Sequence, residues 1–164
     1  MICKLTNVDF QEILSIVNDA ATVYEGKIPE DRWKIPYMTT EELMEDIRRG
    51  IQFYGLKEKD ALLAVMGIQR VKDVTLIRHA YVLKSHQRKG LGEKLLNHLL
   101  SLAETSKIYV GTWEAAHWAI NFYEKRGFQL VSKEKKDKLL EKYWSIPDRQ
   151  IETSVVLELK RQLS

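Results

Sequence analysis

Residues 86–100, HQRKGLGEKLLNHLL, join a basic Gly-x-Gly loop to a segment with leucines at helical spacing. A helix start carries amides without intrahelical partners and the positive end of the macrodipole, so its natural ligand is an anion, often a phosphate. Gly90 and Gly92 would let such a ligand reach the backbone with no Cβ in its way. Arg88 and Lys89 would add positive charge beside it. The competing reading makes GLG a plain strand-to-helix turn whose cations lie in solvent.

The rest of the composition narrows what such a loop could serve. The 164 residues, 45% hydrophobic and 30% charged, suffice for one domain with a full core, which predicts a single domain over 1–164. Lys and Arg number 26 against 23 Asp and Glu, a net charge of +3 spread along the chain. That balance suits an anionic small ligand better than nucleic acid. Cys3 is the only cysteine, so no intrachain disulfide can form and a reducing, cytoplasmic setting is expected. The opening MICKLTNVDFQEIL is too polar for a signal peptide, and the apolar run ALLAVMGI falls well short of the roughly 20 residues of a membrane span. His79, His86, His98 and His117 lack the short spacings of a zinc site, so no metal is expected. Nucleotide hydrolysis is disfavoured because no G-x-x-x-x-G-K-[ST] loop is present.

Phe10, Ile13, Leu14, Val17 and Ala21 recur at helical spacing and predict a helix over 8–22. A long loop with two prolines and three large aromatics follows at 23–38. Thr39 and Glu42 form a capping-box signature for a second helix at 40–49, with Leu43, Met44 and Ile47 on one face. Strand-like runs at 51–57 and 61–71, split by the charged turn EKD, predict a hairpin, and 74–83 is a third strand. The basic loop comes next, then a helix striped by Leu91, Leu95, Leu99 and Leu102, then a strand at 107–113. Residues 115–126 read as a helix presenting Trp118, Ala119, Phe122 and Tyr123, ended by Gly127. Runs at 128–132 and 150–160 read as the last strands, with a candidate helix in KDKLLEKYW between them. The lysine-rich run KEKKDKLLEK reads as a solvated face. The expected class is α/β: a mixed, mostly antiparallel central sheet with helices on both faces.

QRKGLG at 87–92 resembles the Q/R-x-x-G-x-G/A loop of the GNAT superfamily of acetyl-coenzyme A-dependent N-acetyltransferases, and NFYEKRGF at 121–128 resembles its second signature. The order of elements agrees along nearly the whole chain, and the tail YWSIPDRQIETSVVLEL resembles one subgroup of that superfamily. The resemblance implies acetyl-coenzyme A as co-substrate, with its pantetheine arm along Ala80, Tyr81 and Val82. It implies that the pyrophosphate rests on the amides of Gln87, Arg88, Lys89, Gly90, Leu91, Gly92 and Glu93, where the loop's own physics puts an anion.

The chemistry implied is direct attack of a neutral amine on the thioester. An amine with a lysine-like pKa near 10.4 must lose a proton, the carbonyl oxygen needs a donor, and the leaving thiolate needs a proton or hydrogen bond. The resemblance gives the oxyanion to a backbone N–H of the 80–82 strand and the thiolate to Tyr123. A phenol is a poorer acid than a thiol, so Tyr123 serves at least as a hydrogen-bond donor or else as core packing. Two departures stand out. The asparagine that many relatives carry seven residues before the tyrosine is Ala116, and the strand TLIRHAYV lacks the glutamate often used as base. Glu114 and His79 rank equally as the base, with His117 behind them and a water relay as the alternative.

In this fold the first two helices and their connection wall the acceptor. Tyr24, Trp33 and Tyr37, among Glu25, Glu30 and Asp31, would suit a cationic amine with an apolar body, or would simply pin the loop to the core. The leading function is acetyl transfer to a small-molecule primary amine, with a homodimer left open. The alternatives are a protein or peptide N-acetyltransferase and a non-catalytic coenzyme A-binding regulatory module.

Overall fold

The computed structural model describes residues 1–163, which form two compact units. The first comprises Met1–Val23, Lys34–Gln69 and Ile77–Ala103; the second comprises Tyr24–Trp33, Arg70–Leu76 and the segment from Glu104 onward. The chain order begins with β1 (Ile2–Lys4), α1 (Phe10–Ala21), α2 (Thr40–Arg48), β2 (Gln52–Glu58), β3 (Ala61–Val71), β4 (Val74–Val82) and α3 (Leu91–Leu102). It continues with β5 (Lys107–Trp113), α4 (His117–Glu124), β6 (Gln129–Leu130), α5 (Lys133–Tyr143), α6 (Asp148–Glu152) and β7 (Ser154–Lys160). The strands form one seven-stranded sheet in the order β1-β2-β3-β4-β5-β7-β6. Pairing is antiparallel at β1–β2, β2–β3, β5–β7 and β6–β7. This is the mixed, mostly antiparallel α/β class expected.

In the first unit, Ile13, Ile16 and Val17 of α1 and Leu43 of α2 close on Leu5, Ile51, Phe53, Leu62 and Val65. The Thr39 hydroxyl accepts from the Glu42 amide and the Glu42 carboxylate accepts from the Thr39 amide, so the expected capping box starts α2. Met44 and Ile47 do not join Leu43 inside: they are 48% and 36% exposed, because only one line of α2 meets the core. The turn between β2 and β3 puts Lys59 and Asp60 at φ 51° and 67°, the paired left-handed residues of a type I′ hairpin. In α3, Leu96 is buried where Leu102, the last of the expected stripe, is 40% exposed.

In the second unit, Val74, Leu76, Tyr109, Leu139, Leu140, Tyr143, Ile151 and Val156 form the core. Three expectations are corrected here. The strand expected over 150–160 begins only at Ser154, because Pro147 and Asp148 start a short helix that the Thr153 hydroxyl closes by donating to the Arg149 carbonyl. The lysine-rich run is a helix with a buried side: Lys136 is 4% exposed and its Nζ donates to the Ile151 carbonyl at 2.6 Å. The helix expected over 115–126 spans 117–124, and Trp118 lies 41% exposed rather than on its buried face.

Asp9 ties the start of α1 to β2. Its carboxylate accepts from the Thr6 amide at 2.9 Å and from Lys57 Nζ at 3.0 Å. The Thr6 amide first, and the Lys57 ammonium next, hold its acidity below the usual carboxylate range. A carboxyl lowered in the folded state stabilises the fold above its unfolded value near 3.9, and that contribution fades as pH falls through the folded value. Asp9→Asn is therefore expected to cost about 1 kcal/mol at pH 7. Urea titrations should show the gap between the two proteins closing as the pH is lowered below 4.

Candidate functional site

The end of β4 and the loop after it are fastened from several sides. The Leu83 amide donates to the Leu63 carbonyl at 2.9 Å, and the Lys84 amide donates to Asp19 Oδ2 at 3.1 Å. Gln87 Nε2 donates to the Val82 carbonyl at 3.2 Å, folding the loop back onto the strand. Arg88 and Gly90 then adopt φ of 66° and 77°. Left-handed residues in such a run turn successive amides toward one side and make an anion-binding concavity. Gly90 is the N-cap of α3 and has no side chain to cap with, and the helical ladder begins when the Lys94 amide donates to the Gly90 carbonyl. The amides of Leu91 and Gly92 precede that bond and stand outside the ladder. Around them Lys84, Arg88, Lys89 and Lys94 are exposed. A Cβ on Gly90 would meet no protein atom within 4 Å, so the glycine serves the backbone angle and keeps the mouth of the loop clear.

His79 lies within β4, one residue before Ala80–Val82, at a φ of 53°. A non-glycine residue in that region is uncommon and needs surroundings that hold it there. Its Nε2 lies 2.8 Å from Asp46 Oδ2 on α2, and its ring stacks on Phe53 with centroids 6.0 Å apart. Gly67 of β3 lets the backbone bend at this point, since a Cβ there would come within 3.0 Å of the Arg78 carbonyl oxygen. Arg78 Nη1 donates to Gln69 Oε1 at 3.4 Å, and Gln69 Nε2 donates to the Arg49 carbonyl at 3.0 Å. Burial alone would raise the Asp46 acid; the hydrogen bond from His79, the ring's charge whenever it is protonated, and the charges of Arg78 and Arg49 outweigh it and hold Asp46 ionised below its ordinary value. The carboxylate that TLIRHAYV lacks is thus supplied from α2. Sequence reasoning did not single out Asp46, because nothing in a helical pattern marks which acid will face a strand.

The remaining residues of interest belong to the second unit. Tyr123 on α4 is buried, with its ring edge-on to Phe122 at 5.0 Å and packed against Phe128 at 5.4 Å. Burial first, and the neighbouring Tyr24 next, push its phenol well above the ordinary value. Glu114 and His117 are exposed, and the Glu114 amide is fixed by donation to the Thr153 carbonyl. Buried Tyr24 stacks with Trp118 at 6.0 Å, and Lys27 Nζ sits 4.8 Å over the Trp118 ring. Asp31 is ion-paired to Arg149 at 3.0 Å, so this acid is already engaged. Tyr24 and Trp33 fall in the second unit, while Tyr37 packs against the core of the first. His79, Ala80–Val82 and Gln87–Glu93 all belong to the first unit, where Gln87 ties the loop to Val82. Among the described residues no three His, Cys, Asp or Glu side chains are grouped to hold a metal ion, and no helix is long and apolar enough to cross a membrane.

A family model described as an acetyltransferase (GNAT) domain matches residues 18–141. Among solved structures, a PaiA N-acetyltransferase from Thermoplasma acidophilum in complex with coenzyme A is similar with a TM-score of 0.74 at 17% identity, over 98% of this chain and 98% of that one. An acetyltransferase from Streptococcus agalactiae has a TM-score of 0.74 at 16% identity, again over 98% of each chain. The ribosomal-protein-S18-alanine N-acetyltransferase from Escherichia coli has a TM-score of 0.68 at 17% identity, over 100% of this chain and 95% of its own. At these identities the structural likeness establishes a shared fold.

The loop geometry separates its two glycines. Gly90→Ala is expected to lower stability by about 1–2 kcal/mol, the cost of a Cβ in the left-handed region. Gly92→Ala, inside the first turn of α3, should not lower it. The urea midpoints of the two variants against the parent check this difference.

Proposed function

The chain belongs to the GNAT acetyltransferase family, and from that premise we propose that it transfers the acetyl group of acetyl-coenzyme A to the primary amine of a small molecule by direct attack. The observation that carries this reading is the start of α3. Left-handed Arg88 and Gly90, amides outside the helical ladder and four exposed cations together form a receptor for a pyrophosphate. Gln87, Arg88, Lys89, Gly90, Leu91, Gly92 and Glu93 are assigned to it. The backbone of Ala80, Tyr81 and Val82 is assigned to the pantetheine arm, with one N–H there aimed at the carbonyl oxygen as negative charge develops. The coenzyme A held by the Thermoplasma acidophilum structure supports the co-substrate.

Among the candidate bases, His79 has a carboxylate partner and an environment that fixes its ring, whereas Glu114 and His117 are exposed. His79 therefore takes the acceptor's proton in this reading. Tyr123 keeps the departing sulfur in a narrower sense than proton transfer. Its phenol, already weaker than a thiol and weakened further by burial, holds its proton and donates a hydrogen bond to the thiolate. Tyr24 and Trp33 are assigned to the acceptor, with Tyr37 contributing through the connection it anchors. The Escherichia coli neighbour's name points to a protein acceptor, and that reading is carried as an outcome of the same experiment.

The test is release of coenzyme A thiol from acetyl-coenzyme A over a panel of small amines and peptides. Turnover with a small amine supports the reading; turnover confined to peptides replaces the acceptor class; no turnover with any acceptor favours a coenzyme A-binding regulator. Acetyl-coenzyme A should raise the melting temperature through binding to the native state, and Gly90→Asp should abolish that rise by placing a negative charge in the loop. A Gly90→Asp protein that binds as tightly as the parent would falsify the loop assignment.

With an acceptor in hand, Tyr123→Phe should lower kcat by less than about tenfold and leave acetyl-coenzyme A affinity unchanged, as expected for one lost hydrogen bond of roughly 1 kcal/mol. A loss of about a hundredfold or more would instead make the hydroxyl a true general acid.

A further inference from the structure

We infer that Asp46 is the positioning residue that orients His79 as base, fixing Nε2 as the protonated nitrogen and leaving Nδ1 to receive the acceptor's proton. The inference rests on the acetyl-transfer reading and deepens it. It stands on geometry within the first unit. A carboxylate can only accept, so the 2.8 Å contact between Asp46 Oδ2 and His79 Nε2 requires the ring to donate. In a neutral imidazole the proton at Nε2 leaves the lone pair at Nδ1. No hydrogen bond to Nδ1 accompanies this contact among the described residues.

The surroundings hold that arrangement. Phe53 of β2 stacks on the ring, and the left-handed His79 backbone turns the side chain away from the alternation of β4 toward α2. Arg49, just past the end of α2, and Arg78 of β4 are the cations whose charges act on Asp46, and both keep it ionised. Gln69 of β3 engages the Arg78 side chain and the Arg49 carbonyl, so these groups are fixed relative to one another. His79 is followed at once by the Ala80–Val82 backbone assigned to the pantetheine arm, so base and arm are neighbours along one strand.

The acceptor ammonium gives one proton to His79 Nδ1, and its nitrogen then forms a bond to the thioester carbonyl carbon. The carbon–sulfur bond breaks, coenzyme A leaves as thiolate, and the second nitrogen proton passes to that sulfur. The amide departs and His79 returns its proton to solvent.

The experiment compares the full chain with Asp46→Asn, His79→Gln and the double variant, using an amine found by the thiol-release panel. Asp46→Asn should lower kcat/KM at pH 7 by about ten- to a hundredfold and leave acetyl-coenzyme A affinity within twofold. The double variant should fall no further than His79→Gln alone, because both changes remove one unit. Nitrogen-15 spectra of the ring should show the Nε2–H tautomer in the parent and a changed tautomer ratio in Asp46→Asn. A kcat/KM equal to the parent's, multiplicative losses in the double variant, or an Nδ1–H ring in the parent overturns the inference. Should Asp46→Asn fail to fold, the parent's ring tautomer and the size of the His79→Gln loss decide it. Should no amine be acetylated, the acetyl-transfer reading falls by itself, and the ring spectra still report whether Asp46 sets the tautomer.

Discussion

The 2.8 Å hydrogen bond between His79 and Asp46 joins a strand to a helix across 33 residues of sequence, and much of the first unit is arranged to sustain it. A left-handed histidine inside a strand is unfavourable unless its neighbours over-determine it. They do so from several elements. Leu43 seats α2 in the core with no exposure, the Thr39–Glu42 box fixes where that helix begins, and Asp46 then follows one turn beyond Leu43 on the same side. Gly67 yields room for the bend, and Gln69 carries the tie on to Arg78 and Arg49. Loss of any of these would loosen a different support of one conformation.

The second unit modifies the electrostatic picture that its sequence suggests. Glu25, Glu30 and Asp31 look like a lure for a cationic amine, yet Asp31 is consumed by Arg149 and Lys27 lies over Trp118. Acids counted along a loop overstate its negative field when their partners come from distant segments, as Arg149 does at a separation of 118 residues. The aromatic character is retained where the charge is neutralised: Tyr24 and Trp118 stack with centroids 6.0 Å apart.

What the sequence made legible were features whose physics is local. The capping box at Thr39, the turn at Lys59–Asp60 and the glycine at the start of α3 each depend on a few adjacent residues, and each is where the pattern puts it. Features set by tertiary contact were hidden. β1 is three residues long and gains its identity only by pairing Ile2, Cys3 and Lys4 with β2. The run QIETSVVLELK has strand-like composition throughout, but the proline before it imposes a helical turn on its first residues. Asp46 is one acid among several on α2, and only the approach of β4 distinguishes it.

Lys136 shows how a single ammonium can set the azimuth of a helix. Leu139 and Leu140 would pack with the helix rolled slightly either way, since apolar contact is indifferent to small rotations. The ammonium is not indifferent: it meets both the Ile151 carbonyl and the Asp137 carboxylate, and a roll of one residue would leave that carbonyl without its donor and bring a different side chain inward. A charge buried beside the end of α6 thus acts as an indexing pin, selecting one rotational setting of α5 from several that its leucines would accept.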